Sequence, residues 1–282
     1  MNQAFSFNRW LLLIAKHWSE NRKKYSLGLL AITGIILIWF LFNIVMEPYE
    51  PMAGSTQVST YFVGLFIVGC LYASTLFAEL ASKAKGINYL SLPASQLEKT
   101  LCSLLYGVVI FFVVYTLVFY LADIIMVNVA NGVANTYWQK HHTPDQVFRP
   151  QRIENVFFNN RRMNSDDINP YFVILLSYFA TQSAYLLGSV YFSRFSFIKT
   201  TVALLVLWLF MIVFVGKIIG PLLPEGSYFE GLTSYRLNTG NNEEKIIRLP
   251  EWINSVTGFL LKYAFAPILW VATYFRVKEK EI

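Results

Sequence analysis

An all-α integral membrane protein with six transmembrane helices is the fold this sequence predicts, and three observations predict it. Hydrophobic residues make up 55% of the chain and charged residues only 14%, which is more apolar surface than a soluble domain can bury. The apolar residues fall in runs long enough to cross a ~30 Å hydrocarbon core, at about 27–46, 58–78, 101–122, 170–193, 200–216 and 252–275. Lys and Arg collect beside these runs, so the net charge of +6 reads as membrane topology and not as a nucleic-acid surface.

The elements follow in chain order. Over 4–18, Phe7, Trp10, Leu11, Ile14 and Trp18 recur at steps of three and four, with Asn8, Arg9 and Lys16 elsewhere around the helix. This predicts an N-terminal amphipathic helix lying in the membrane interface, its Trp residues at the headgroups and the Arg22, Lys23, Lys24 cluster on anionic lipid. No cleavable signal peptide is expected, because the first apolar run is too long and lacks a small-residue cleavage site. The segment 47–57 holds Glu47, Glu50 and two prolines but no basic residue, whereas 79–100 and 194–199 hold Lys83, Lys85, Lys99, Arg194 and Lys199. The positive-inside bias therefore places both termini in the cytoplasm, as Arg276, Lys278 and Lys280 at the end agree.

Glu79 and Asp123 stand at the ends of their runs, which reads as an interfacial position for both. The stretch 124–169 is polar and aromatic without clear periodicity; a connection this long is functional or ordered by extra helices. After the fifth run come Lys217 and then Gly220, Pro221 and Pro224, breakers that end the span, and the region from there to Glu251 is apolar, interrupted and then polar. Neither an internal repeat nor a linker divides the chain, so 1–282 reads as a single membrane domain.

The most informative stretch is 79–100, ELASKAKGINYLSLPASQLEKT, set close between two apolar runs. A short helical turn over 81–85 is expected before Gly86 breaks it, and Pro93 stops what precedes it. Ser95 followed three residues later by Glu98 spells a capping box, in which each side chain satisfies a backbone N–H at a new helix start.

The pattern carried by Lys83, Lys85, Gly86, Tyr89, Ser91, Leu92, Pro93, Ala94, Ser95, Glu98 and Lys99 resembles the loop between the second and third spans of bacterial type-2 ABC transporter permeases. The resemblance extends over nearly the whole chain as an amphipathic start and six spans. It implies that 79–100 carries a cytoplasmic coupling helix seated in a groove of a separate ABC ATPase subunit, which binds the ATP and Mg. It also implies that the first helix frames the ATPase dock and that short re-entrant helices lie between spans five and six. The function so implied is a permease subunit of an ATP-driven exporter of the inner membrane, forming its pathway as a homodimer or heterodimer. The long 124–169 connection departs from the family, in which this connection is often short. A reading from another class stands beside it: a membrane-embedded scaffold or assembly subunit with no pathway of its own.

The chain carries no phosphate-cradling G-x-x-x-x-G-K-[ST] loop, since Gly216-Lys217 lacks both the earlier glycine and the hydroxyl, so no enzyme activity and no cofactor of its own is expected. The spans hold almost no acidic residues of the kind that build ion relays, which argues against gradient-driven transport. Lys217 and Lys262 are the informative charges near spans; each either snorkels to the interface or lines a polar pathway for an anionic or amphipathic substrate. Glu243, Glu244 and Arg248 spell Glu-Glu-x-x-x-Arg, similar to a motif of intramembrane prenyl-protein endopeptidases, yet none of the three histidines follows it. His141, His142 and Asp145 lack a fourth ligand at metal spacing, so no metal site is expected. Cys70 and Cys102 read as small buried hydrophobes.

Overall fold

The computed structural model describes residues 5–81, 83–141, 148–158, 169–219, 227–229, 234–238, 244–248 and 250–280. Among them are six helices long and apolar enough to cross a membrane, each taking in most of one predicted run; the chain is a multi-pass membrane protein.

Helix α1 (Phe7–Met46) is a single helix of 40 residues. At ~1.5 Å per residue it is about 60 Å long, so the predicted interfacial helix and the first span form one element. The physical reason lies in the sequence between them: Ser19 to Lys24 is polar but contains neither Gly nor Pro, and nothing there stops a helix. Helix α2 (Gly54–Thr75) is followed by a 3₁₀ turn over Ala78–Ala81 and the short α3 (Lys83–Leu90). Helix α4 (Gln96–Leu104) passes through a π-helical turn, Leu105–Ile110, directly into α5 (Phe111–His141). The third membrane helix thus runs well beyond residue 122, and the first part of the predicted outer connection is helical.

Asn169 caps α6 (Pro170–Tyr191): its Oδ1 accepts from the Tyr171 N–H at 3.1 Å, with Pro170 at the first position, where its missing N–H costs nothing. Helix α7 (Ser196–Phe214) ends in a second π turn, Val215–Ile219. Between spans five and six, where re-entrant helices were expected, the described residues form a three-stranded antiparallel sheet of β1 (Ser227–Phe229), β2 (Ser234–Asn238) and β3 (Glu244–Arg248). Tyr235 stands opposite Phe229 and Ile247 in its register, and alternation such as Tyr-Arg-Leu in β2 suits a strand better than a helix. The breakers Gly220, Pro221 and Pro224 lie outside the described residues. Helix α8 (Glu251–Phe259), a third π turn (Leu260–Ala264) and α9 (Phe265–Glu279) make the sixth span.

The bundle packs α2 on α6, α6 on α9 and α1 on α5. Its interior is filled by aromatic side chains, with Tyr61, Tyr115, Phe119 and Tyr178 sealed from solvent in one cluster. The Tyr115 hydroxyl donates to the Tyr61 carbonyl at 2.9 Å, and the Tyr61 hydroxyl pairs with Thr116 Oγ1 at 3.0 Å, so these phenols are satisfied inside the bundle. Glycine makes room for them: a side chain at Gly64 or Gly69 would occupy the space of the Tyr115 or Tyr178 hydroxyl. At the first π turn the Gly107 carbonyl accepts from Gln182 Nε2 of α6 at 2.6 Å, a partner for a carbonyl in a widened turn. Helix α7 is apolar on nearly every face and contributes only Thr200 to the buried set; Phe197 and Leu204 pack on the bundle, while most of its other large side chains are exposed on the protein surface.

Two ends of the bundle are distinguishable. One brings together Arg9, the 79–100 connection, Tyr191 and Arg276; we call it the basic end. At the other, residues 148–158 form a strap tied by side chain to backbone bonds. Gln57 Nε2 donates to the Arg152 carbonyl at 3.2 Å while its Oε1 accepts from the Glu154 N–H at 2.9 Å. Asn131 embraces Gln151 in the same two-way fashion at 3.0 Å each. The Val156 N–H donates to the Tyr120 hydroxyl at 3.2 Å, and Asn169 Nδ2 to the Phe157 carbonyl at 2.6 Å.

Candidate functional site

The site predicted over 79–100 is organised by one carboxylate. Ser95 caps α4 as its pattern requires: Ser95 Oγ accepts from the Glu98 N–H at 3.2 Å and Glu98 Oε2 accepts from the Ser95 N–H at 2.8 Å. The other oxygen of Glu98 faces the start of α1. Glu98 Oε1 accepts from the Ser6 N–H at 2.6 Å and from Arg9 Nη2 at 2.9 Å and Nε at 3.3 Å. Glu98 is fully buried, so a charge that would be costly alone is satisfied by two helix starts and a guanidinium. Ser6 is the N-cap residue of α1, and a negative group there also complements the positive end of that helix.

Further ties run along the same seam. The Tyr106 hydroxyl donates to the Ile14 carbonyl at 3.1 Å, and the His17 ring lies 4.4 Å from that of Tyr106. His17 Nε2 is 2.6 Å from the Tyr25 hydroxyl, and Tyr25 stacks on Tyr106. Of the predicted apolar stripe, Trp10 and Ile14 are half-buried, while Phe7, Leu11 and Trp18 remain exposed for lipid or a partner.

Three expectations about 79–100 are corrected. Gly86 does not break a helix: α3 runs from Lys83 to Leu90 straight through it, because the following Ile-Asn-Tyr-Leu continues the turn and Gly86 is packed near the backbone of Leu80. The helix capped by Ser95 is not a separate coupling helix but the first turns of the third membrane helix, with Gln96, Glu98, Lys99 and Thr100 buried against the bundle. Lys99 in particular is 1% exposed, its ammonium 5.7 Å from the centre of the Tyr89 ring, and offers no charge to a partner.

What this end does present is α3 itself. Ile87 is 67% exposed, Pro93 is exposed and Leu92 half-buried, while Tyr89 is turned inward against Phe77. Lys83 and Lys85 lie on the backbone of α3, and their side chains are outside the described residues. Arg9, Ser6, His17 and Tyr106 were missed by sequence reasoning; Arg9 stood out only as one basic residue on a polar face.

Lys217 and Lys262, expected near a pathway, each lie on a π turn, Lys217 exposed and Lys262 half-buried. Neither belongs to the sealed interior. Asp123, expected at the interface, is instead fully buried. The side chain of His141, together with His142, Asp145 and Glu243, is outside the described residues. Comparison of the chain with protein-family models, curated proteins and solved structures gives no match.

Proposed function

We propose that the chain is the permease subunit of an ATP-driven transporter of the bacterial inner membrane, an exporter that works as a dimer with a separate ABC ATPase. The observation that carries this reading is the basic end, where a short helix with an exposed apolar residue, Ile87, is held against a buried, charge-satisfied hub. A push on α3 reaches Lys99 through Tyr89, and from Glu98 it reaches the start of α1 and the third membrane helix together. In this reading both termini and α3 face the cytoplasm, and ATP and Mg are bound by the partner.

The interior filled by Tyr61, Tyr115 and Tyr178 directs the pathway away from the middle of one copy. A pathway between two copies, with a homologous or second permease chain, leaves Lys217 and Lys262 available to an anionic or amphipathic substrate. The same filled interior favours the second reading, a membrane scaffold with no pathway of its own.

Affinity purification of the full chain from its own membranes, followed by assay of ATP hydrolysis, separates the two. The transporter reading expects an ATPase to co-purify and Ile87→Asp to reduce its capture while the subunit still inserts. A parent complex without ATPase activity, or undiminished capture by Ile87→Asp, would falsify the coupling role of α3.

A further inference from the structure

Beyond the basic end, the least explained group is Asp123. It sits on the buried face of α5 with Phe119, Met126, Val127 and Ala130, is 0% exposed, and neither carboxyl oxygen has a hydrogen-bond partner. The strap spans the same stretch of α5. Gln151 is held by Asn131 and the Val156 N–H by Tyr120, so the strap runs along α5 between positions that bracket Asp123. Five extended residues cover about 17 Å, and the eleven helical steps from Asn131 to Tyr120 also cover about 17 Å. Val156 itself is 1% exposed and closes the same cluster with Met52 of the 47–53 turn.

The titratable and charged groups on the surrounding elements include Tyr115, Tyr120, Tyr137 and Lys140 on α5, Tyr61 on α2, Tyr171 and Tyr178 on α6, Glu47, Tyr49 and Glu50 after α1, and Arg149, Arg152 and Glu154 on the strap. None hydrogen-bonds to Asp123. A lone carboxylic acid in apolar surroundings is a group whose natural ligand is a proton. An ionised carboxylate sealed here would be a buried charge without compensation, and such a site is relieved either by carrying the acid neutral or by letting water in.

We infer that Asp123 is a proton-binding site that holds the strap closed. With the acid neutral, Gln57, Asn131 and Tyr120 keep 148–158 seated; when the proton leaves to solvent water, the carboxylate draws water in and the strap lifts.

The test uses the purified full chain with Cys70 and Cys102 replaced by Ala and a single thiol introduced as V156C, buried while the strap is seated. Its rate of maleimide labelling is followed against pH and divided by that of Q139C, an exposed position that reports the reagent's own pH dependence. The expected ratio rises with pH, by no more than about tenfold per pH unit for a single linked proton. With D123N added it stays low and flat, and with E154Q added the rise remains. A rise that survives D123N, or a flat ratio in the parent, overturns the proposal. Should V156C not fold, infrared spectroscopy reads the same site. A protonated carboxylic acid band at mildly acidic pH that fades as the pH rises and is missing in D123N is expected, and identical spectra for the two proteins across the titration sink the idea.

Discussion

Glu98 Oε1 lies 2.9 Å from Arg9 Nη2, joining residues 89 positions apart at the point where two helices begin. The same carboxylate accepts the Ser6 and Ser95 N–H groups, so it is at once half of a capping box and the anchor of the N-terminal helix. Replacing Glu98 by Ala removes the acceptor of those two N–H groups and one ion pair of Arg9. Each buried donor so orphaned costs ~1–3 kcal/mol, against ~0.5–2 kcal/mol for losing the cap hydroxyl in Ser95→Ala. Thermal unfolding in detergent is expected to rank Glu98→Ala below Ser95→Ala, and proteolysis should cut the Glu98→Ala protein early near Arg9. Equal stability of the two variants would mean that the link to α1 contributes nothing.

Orientation is the second prediction. Single cysteines at Ser91 and Gln139, both exposed, report the two ends of the bundle. In intact cells with a permeabilised outer membrane, an impermeant reagent is expected to label Gln139→Cys and not Ser91→Cys, as the distribution of Lys and Arg requires. The reverse pattern turns the molecule over and removes α3 from the cytoplasm.

Helix packing supplies the third. The Tyr178 hydroxyl occupies the space beside Gly69, so Gly69→Ala forces α2 and α6 apart or drives the phenol from its place. Overpacking of this kind costs about 1–3 kcal/mol. A lowered melting temperature is expected for Gly69→Ala and little change for Gly132→Ala, whose added methyl meets nothing within 4 Å. Comparable losses at both positions would point to a helix-wide effect instead of the Tyr178 contact.

The fourth prediction concerns Lys217 and Lys262. Both lie outside the sealed interior, so replacing them by Gln is expected to leave the melting temperature unchanged. In the proposed transporter complex the double variant is expected to alter substrate-stimulated ATP hydrolysis. Unaltered stimulation assigns both lysines to the lipid interface, where their stems snorkel.

Six spans and the capping box were legible in the sequence because both are local. A charge-free run and a Ser-x-x-Glu pattern act through neighbours a few residues away, and the structure keeps both. Local patterns misled where no breaker enforced them. The change from an amphipathic to an apolar segment within α1 did not end the helix, and Gly86 alone did not stop α3.

Which segments are apolar enough to cross a membrane, where Lys and Arg flank them, and that a helix starts at Ser95 can all be read from neighbouring residues. The surroundings of Glu98, Gln57 and Asp123 come instead from how the helices pack. Glu98 meets Arg9, Gln57 holds the backbone of Arg152 and Glu154, and Asp123 has no hydrogen-bond partner among the described residues. The physical reason is the range of the interactions. Hydropathy and helix capping are sums over adjacent residues, whereas the partner of a buried polar group is whatever the packed helices bring to it from distant parts of the chain.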